Sequence, residues 1–262
     1  MIKKLIKYDV IKMTGTLPYF YAFAIFFAGL TRLVNIWSDI QFIFIIGQIF
    51  QGTTIALMVN ILINTFLSII VRSFVPSFYK DESYLTHTLP VTKNELMLSK
   101  FVSAIIITFL SFIVCFGCLF IMFYSQETMA MLKMLIEGIV VGFDMSAGTF
   151  VTIIALVLLF EIIAMMLMGF SAVIKGYSYN HGKVKMSFVW FIIYYAVSSV
   201  INLIIVLVAL AIGGNASALT AAVMEADAFI TILIVVLVDY ALISVAFYFI
   251  SNKLFSRGVN VD

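Results

Sequence analysis

The most informative shortage in this 262-residue sequence is charge, because Asp, Glu, Lys and Arg together make up only 11% of it. Soluble domains carry roughly a quarter. Proline and cysteine are also scarce, with three and two residues. Cys115 and Cys118 both lie inside an apolar run, so they cannot cross-link loops. Their C-x-x-C spacing has no βαβ context, and we interpret both as packing residues.

Several functional motifs are missing as well. No G-x-x-x-x-G-K-[ST] occurs, which excludes ATP binding by a P-loop in this chain. The basic residues form no stripe, so no nucleic-acid partner is predicted. The two histidines, His87 and His181, are isolated, and two separate histidines do not make a metal site.

Hydrophobic residues make up 64% of the chain, and the mean hydropathy is +1.20. A helix of ~20 residues crosses the hydrocarbon core, and continuous runs without period-two alternation favour helices over barrel strands. The sequence therefore predicts an all-α integral membrane protein that forms a single transmembrane domain over residues 1–262. Its six predicted spans are residues 17–36, 41–71, 98–124, 148–174, 187–212 and 228–250.

The positions of the basic residues predict the orientation of the chain. Thirteen of the fifteen Lys and Arg residues lie in the segments 1–16, 72–97, 175–186 and 251–262 or at Lys100. Of the other two, Lys133 lies in the opposite set of loops and Arg32 near the outer end of the first span. Both termini and the loop 72–97 are therefore predicted to be cytoplasmic.

Three segments outside the spans have patterns of their own. In residues 1–14, Lys3, Lys4 and Lys7 lie opposite an apolar side, which predicts an amphipathic helix in the inner membrane interface. The apolar side comprises Ile2, Leu5, Ile6, Val10 and Met13. Asp9 falls on that side and makes the pattern imperfect. Residues 126–140 could form a short outer surface helix, and Gly213-Gly214-Asn215 predicts a turn after the fifth span.

The loop between the second and third spans contains a clear helix start. Pro90 disfavours helix at the residue before it. Thr92 and Glu95 have capping-box spacing, and Val91 and Leu96 have the spacing of a hydrophobic staple. Residues 81–88 are predicted to form a short polar turn or helix that exposes Tyr84 and Leu85. Such side chains suit a protein partner, although a well-capped loop without a partner is about equally compatible with the pattern.

This loop resembles the cytoplasmic loop of ABC-2 type permeases, the membrane subunits of ABC transporters. Many bacterial members carry an acidic residue, a Tyr-Leu pair, Thr-Leu-Pro-Val/Ile-Ser/Thr and a helix start followed by Lys. The corresponding residues here are Asp81-Glu82, Tyr84-Leu85, Thr88-Leu89-Pro90-Val91-Thr92 and Lys100. The six predicted spans and the predicted cytoplasmic location of both termini also match the arrangement of this family. The loop between spans five and six is only about fifteen residues, shorter than in members with large extracellular helices.

The resemblance implies a coupling helix that docks on a separate ABC ATPase, the nucleotide-binding subunit, which would bind ATP and Mg. This chain would be no enzyme and would bind no cofactor. The implied coupling residues are Asp81, Glu82, Ser83, Tyr84, Leu85, Thr86, His87, Thr88, Leu89 and Pro90. A second permease subunit, identical or different, and membrane lipids are the other implied partners. The implied location is a bacterial cell membrane, and an amphipathic or hydrophobic substrate such as a peptide, lipid-like compound or drug would be exported.

Polar residues within the spans are candidates for a substrate path. Glu161 and Asp239 lie near the middle of the fourth and sixth spans, where a carboxylate costs about 2.5–3.5 kcal/mol. Each could contact a cationic or polar part of a substrate, or could be a protonated or hydrogen-bonded group that fixes packing. The second span carries Gln48, Gln51, Asn60 and Asn64, of which Gln51, Asn60 and Asn64 join the candidate path. Interhelical hydrogen bonding is the alternative for these amides.

Two other function classes remain open at this point. A non-transporting immunity or regulatory membrane protein would have much the same sequence features. An intramembrane protease would need paired catalytic groups at membrane depth. The chain offers Glu161 and Asp239 but no intramembrane histidine, Gly-x-Gly-Asp or Glu-Glu pair, so this class is disfavoured.

Overall fold

A computed structural model describes most of the chain in two compact units, residues 1–129 and 130–260, which are treated separately below. The described residues are 2–36, 41–80, 82–88, 90–124, 130, 131, 133, 134, 136–138, 146–212 and 226–256. Across this described part, all regular secondary structure is helical and no strand occurs.

In the described part of the first unit there are an N-terminal helix, three long helices, a π-helical segment and two short helices. Their bounds are α1 Ile2–Thr14, α2 Leu17–Asn35, α3 Gln41–Leu67, a π-helical segment Ser68–Phe74, α4 Val75–Tyr79, α5 Ser83–Thr88 and α6 Lys93–Phe123. The second unit contains α7 Ala147–Tyr177, α8 Lys183–Ile212 and α9 Ala226–Ser256. The described residues between 130 and 138 are also helical, as the sequence predicted.

Six of the described helices are long and apolar enough to cross a membrane, and they match the six predicted spans in number and order. The chain is therefore a multi-pass membrane protein. The second spanning helix continues without a break from Gln41 to Tyr79, 39 residues. At ~1.5 Å per residue it is about twice the thickness of the hydrocarbon core, so this helix extends beyond the bilayer. The turn predicted at residues 213–215 lies outside the described residues.

The three spans of the first unit pack on one another and share a hydroxyl cluster. The Ser111 hydroxyl of α6 lies 2.7 Å from the Tyr21 hydroxyl of α2 and 2.7 Å from the Thr65 hydroxyl of α3. Each span contributes one buried polar group, and the three groups satisfy one another where no water is available.

In the second unit, α7 packs against both α8 and α9. The Ser171 and Ser251 hydroxyls lie 2.5 Å apart and join α7 to α9. Gly176, at the end of α7, lies against the backbone of Ser187 in α8. Gly182 takes a left-handed conformation with φ +65 in the turn between these helices, where L residues with a Cβ are disfavoured.

The predicted start of the third span is confirmed at α6. Thr92 is its N-cap, and the Thr92 and Glu95 side chains each accept a hydrogen bond from the other residue's backbone N–H. These bonds measure 2.9 Å for Thr92 N to Glu95 Oε2 and 3.3 Å for Glu95 N to Thr92 Oγ1.

Thr92→Ala is expected to lower the free energy of unfolding by about 1 kcal/mol, because it removes this cap. The exposed Thr88 is the control, since its hydroxyl bonds only within its own short helix. Thermal unfolding of the purified protein in detergent checks the difference. Equal midpoints for Thr92→Ala and Thr88→Ala would contradict it.

Candidate functional site

The predicted N-terminal helix is present. Its apolar side, however, packs against other helices of the same unit. Met13 and Asp9 are buried, and α1 packs against α6 and the π-helical segment. The sequence pattern had assigned this side to the membrane interface. In the structure, the helix turns it toward its own unit, and Asp9 lies on it because its carboxylate has partners there.

Asp9 forms an ion pair with Lys100, in which both residues are almost fully buried, at 8% and 4% exposure. Neighbouring hydroxyls complete the environment of the pair. Ser99 donates to Asp9 over 3.2 Å, and Lys100 donates to Ser73 over 3.1 Å and to Ser77 over 2.9 Å. A buried ion pair offsets its desolvation only when further hydrogen bonds complete it, and three serines do so here.

A second ion pair lies beside the first and reaches the loop. Lys12, one helical turn after Asp9, pairs with Glu82 at the start of the predicted coupling segment. Ser77 connects the two pairs, because it accepts from Lys100 and lies 3.4 Å from Glu82. We call this set the anchor cluster. It comprises Asp9, Lys12, Ser73, Ser77, Glu82, Ser99 and Lys100.

The π-helical segment places serines of the second span toward this cluster. The Ser68 hydroxyl donates to the Met13 carbonyl over 2.5 Å, while Ser73 and Ser77 accept from Lys100. In an α-helix, positions five apart point about 140° away from each other. In a π-helix, with i→i+5 bonding, they lie on the same side of the helix, much as positions four apart do in an α-helix. The π geometry therefore brings Ser68 and Ser73 to the same side.

Helix α5 occupies the predicted coupling segment and is confirmed as a short helix. Tyr84 and Leu85 are 72% and 73% exposed, whereas Ser83 is buried. The helix packs on α4, and the Thr86 hydroxyl donates to the Glu82 carbonyl over 2.9 Å. The anchor cluster thus fixes the base of a helix whose outer side presents a tyrosine and a leucine.

The remaining residues of the predicted coupling set can be placed only in part. Thr88 and Pro90 are exposed, and the Thr88 hydroxyl donates to the Leu85 carbonyl over 2.9 Å. Asp81, Leu89 and the side chain of His87 lie outside the described residues.

Sequence reasoning did not find most of the anchor cluster. Asp9 was identified only as an irregularity and Lys100 only as a basic residue of the orientation pattern and of the resemblance, whereas Ser73, Ser77 and Ser99 were not identified at all. The usable signal was the acid on the apolar side of an amphipathic helix. Such a residue needs a cationic partner from another element, and Lys100 is the basic residue at the start of the third span.

The two intramembrane acids both lie in the second unit, and each interacts with a different polar side chain. Asp239 of α9 is buried and accepts a hydrogen bond of 2.9 Å from Asn202 of α8. Glu161 of α7 is exposed, and Tyr240, next to Asp239, interacts with its side chain. The sequence singled out both acids but missed Asn202 and Tyr240. The hydrogen bond of Asp239 fits a packing role, and the exposed Glu161 is the better candidate for a ligand contact.

The four amides of the second span lie in the first unit, and two of them bond within their own helix. Asn60 and Asn64 each donate 2.9 Å bonds to carbonyls four residues earlier. Gln48 and Asn60 are exposed, and Gln51 and Asn64 are half-buried. The place of Gln51, Asn60 and Asn64 in a substrate path stays a prediction, as does the interhelical alternative.

Within the described residues, no group of three or more His, Cys, Asp and Glu side chains is placed to hold a metal ion. Cys115 and Cys118 are buried, unbridged thiols. Comparison of the chain with protein-family models, with curated proteins and with solved structures gave no match.

Proposed function

We propose that this chain is the membrane-spanning permease subunit of an ATP-driven exporter, with α5 as the element that docks on a separate ATPase. The observation that carries the proposal is the pair of exposed side chains, Tyr84 and Leu85, on a helix whose base is held by an ion pair that Ser77 links to the buried pair of Asp9 and Lys100. A loop that only connects two spans would not require these ion pairs and hydrogen bonds to fix its orientation. Tyr is also enriched among the residues that dominate binding energy at protein interfaces.

The anchor cluster connects the docking helix to the spans by direct contacts. Glu82 pairs with Lys12 of α1, and Ser77 joins this pair to Lys100 at the start of the third span. A displacement of α5 would therefore reach the second and third spans through ion pairs and hydrogen bonds. Energetic coupling between distant sites is carried by chains of packed side chains, hydrogen bonds and salt bridges.

The substrate proposal rests on the intramembrane groups. Glu161 is an exposed carboxyl in an apolar span, and membrane carboxyl groups of this kind usually face a bundle interior or a wet cavity. An amphipathic substrate with a cationic or polar part, such as a peptide, fits this arrangement. Export from a bacterial cell and pairing with a second permease subunit are parts of the same proposal.

The test is co-purification with a cognate P-loop ATPase that is co-expressed with this chain. We expect Tyr84→Ala with Leu85→Ala to weaken binding about 30-fold or more, since truncating interface anchors costs 2 kcal/mol or more. The thermal midpoint should stay unchanged, because both side chains are exposed. Tyr19→Ala with Leu33→Ala is the matched control, at 70% and 61% exposure on α2.

Binding that survives the Tyr84 and Leu85 substitutions, together with ATPase activity unaffected by deleting residues 81–89, would contradict the proposal. If the ATPase binds normally but no candidate substrate changes its turnover, the non-transporting regulatory alternative is favoured instead.

A further inference from the structure

One side of α1 is exposed and combines lysines with two large side chains. It lies opposite Asp9 and Met13, and we call it the outward face of α1. Its residues are Lys3, Lys4, Lys7, Tyr8 and Ile11. Tyr8 is 69% exposed and Ile11 is 57% exposed, so two large side chains are exposed on the same face as the lysines.

The outward face carries positive charge without an acid of its own helix to balance it. The only acid of α1, Asp9, is buried on the other side and paired with Lys100. Lys12 is paired with Glu82. None of the ion pairs found among the described residues includes Lys3, Lys4 or Lys7. Three lysines therefore face outward with their charge available to a ligand.

The position of α1 restricts what this face can meet. Only Gly15 and Thr16 separate α1 from the spanning helix α2, and Arg72 donates to the Thr16 hydroxyl over 2.7 Å. Ser103 of α6 donates to the Ile6 carbonyl over 3.3 Å, which fixes α1 alongside the first turns of the third span. The helix is held at the ends of the spans, where headgroups are the nearest large population of anions.

We propose that the outward face of α1 binds the phosphate headgroups of anionic lipids, with Tyr8 and Ile11 inserted beside them. Clustered lysines next to a spanning helix attract anionic headgroups, and tyrosine favours the membrane–water boundary. The sequence pattern had given the lipid contact to the apolar side of α1. The burial of Asp9 and Met13 transfers it to the opposite side. This inference does not depend on transport.

The experiment measures lipid retention by the purified full chain. The protein in detergent is titrated with phosphatidylglycerol or with phosphatidylcholine, and bound lipids are counted by native mass spectrometry. The chain should retain phosphatidylglycerol in preference to phosphatidylcholine. Each lysine near a headgroup is worth roughly a fivefold change in affinity. The triple substitution Lys3→Gln, Lys4→Gln and Lys7→Gln should therefore weaken phosphatidylglycerol binding by at least about 20-fold.

Two further triple variants make the measurement specific. Replacing the same three lysines by arginine keeps the charge and should keep the binding. Lys80→Gln, Lys93→Gln and Lys185→Gln remove three exposed lysines elsewhere and should change it less than threefold. All variants should unfold at the midpoint of the unmodified chain in lipid-free detergent, because these side chains lie on the surface.

Equal retention of the two lipids would overturn the proposal, as would full retention by the triple glutamine variant or an equal loss in the Lys80, Lys93 and Lys185 control. Loss of a co-purifying ATPase with unchanged lipid retention would assign the outward face to a protein partner and would overturn it too.

Discussion

Lys100→Met is expected to lower the free energy of unfolding by about 3–5 kcal/mol, because it leaves the Asp9 carboxylate buried without a cation. Removing one partner of a buried pair costs far more than the pair itself contributes. Ser73 and Ser77 would also lose the donor that they share. The measurement is unfolding of the purified chain in detergent or bicelles, followed by a probe of α1 and a probe of the second unit.

The neighbouring pair provides the matched control. Lys12 and Glu82 form the same kind of ion pair, but their side chains are 29% and 48% exposed. Water screens such a pair, so Lys12→Met should cost no more than about 1 kcal/mol. The difference between the two lysine variants isolates the effect of burial.

A double substitution separates charge imbalance from lost packing. Asp9→Leu combined with Lys100→Met replaces the whole pair by apolar side chains, which is often neutral or stabilising. The double variant should therefore recover most of the stability that Lys100→Met loses. If Lys100→Met and Lys12→Met have the same effect, or if the double variant is the least stable of all, the pair is not buried as described.

Gly176→Ala is the second change with a large expected effect, about 3 kcal/mol of destabilisation. A Cβ at residue 176 would stand 2.5 Å from the Ser187 Cα and closer still to the Ser187 backbone N. Backbone atoms cannot move aside as a side chain can, so α7 and α8 would have to separate. Overpacking of this kind costs 1–3 kcal/mol or more.

Gly117 provides the control for this substitution. It also lies inside a spanning helix, but nothing stands within 4 Å of an added Cβ. Gly117→Ala should be neutral or stabilising by up to about 1 kcal/mol, since alanine is the better helix former. Thermal midpoints in detergent check the comparison. A Gly176→Ala variant as stable as the Gly117→Ala variant would show that α7 and α8 do not meet at Ser187.

The spans were predictable because each depends on a local property, a run of about twenty apolar residues. The start of α6 was predictable for a similar reason, since Thr92 and Glu95 are close in sequence and interact within one turn. Pro90 marked the break before it. Local chemistry of this kind needs no knowledge of which helices pack together.

The anchor cluster was not predictable in the same way, because its contacts join residues far apart in sequence. Asp9 and Lys100 are 91 positions apart, and the serines that complete the pair are common residues with no pattern. The π-helical segment also departs from the 3.6-residue period of an α-helix. A sequence pattern based on that period therefore assigns its residues to the wrong sides of the helix. In the second unit, Asp239 could be identified from the sequence because a carboxylate inside a membrane span costs free energy. Its partner Asn202 could be identified only once the packing of α8 on α9 was known.

The π-helical segment also means that the second span carries one residue more than a regular α-helix needs to reach the same direction. Hydrogen bonds in a π-helix reach one residue further than in an α-helix, so each turn holds more residues. Deleting one residue from Ser68–Phe74 and restoring regular α-helix would therefore leave Ser77 directed at Lys100 and α5 close to its position. The same deletion within Gln41–Leu67 would turn everything after it by about 100° around the helix axis and direct Ser77 away from Lys100.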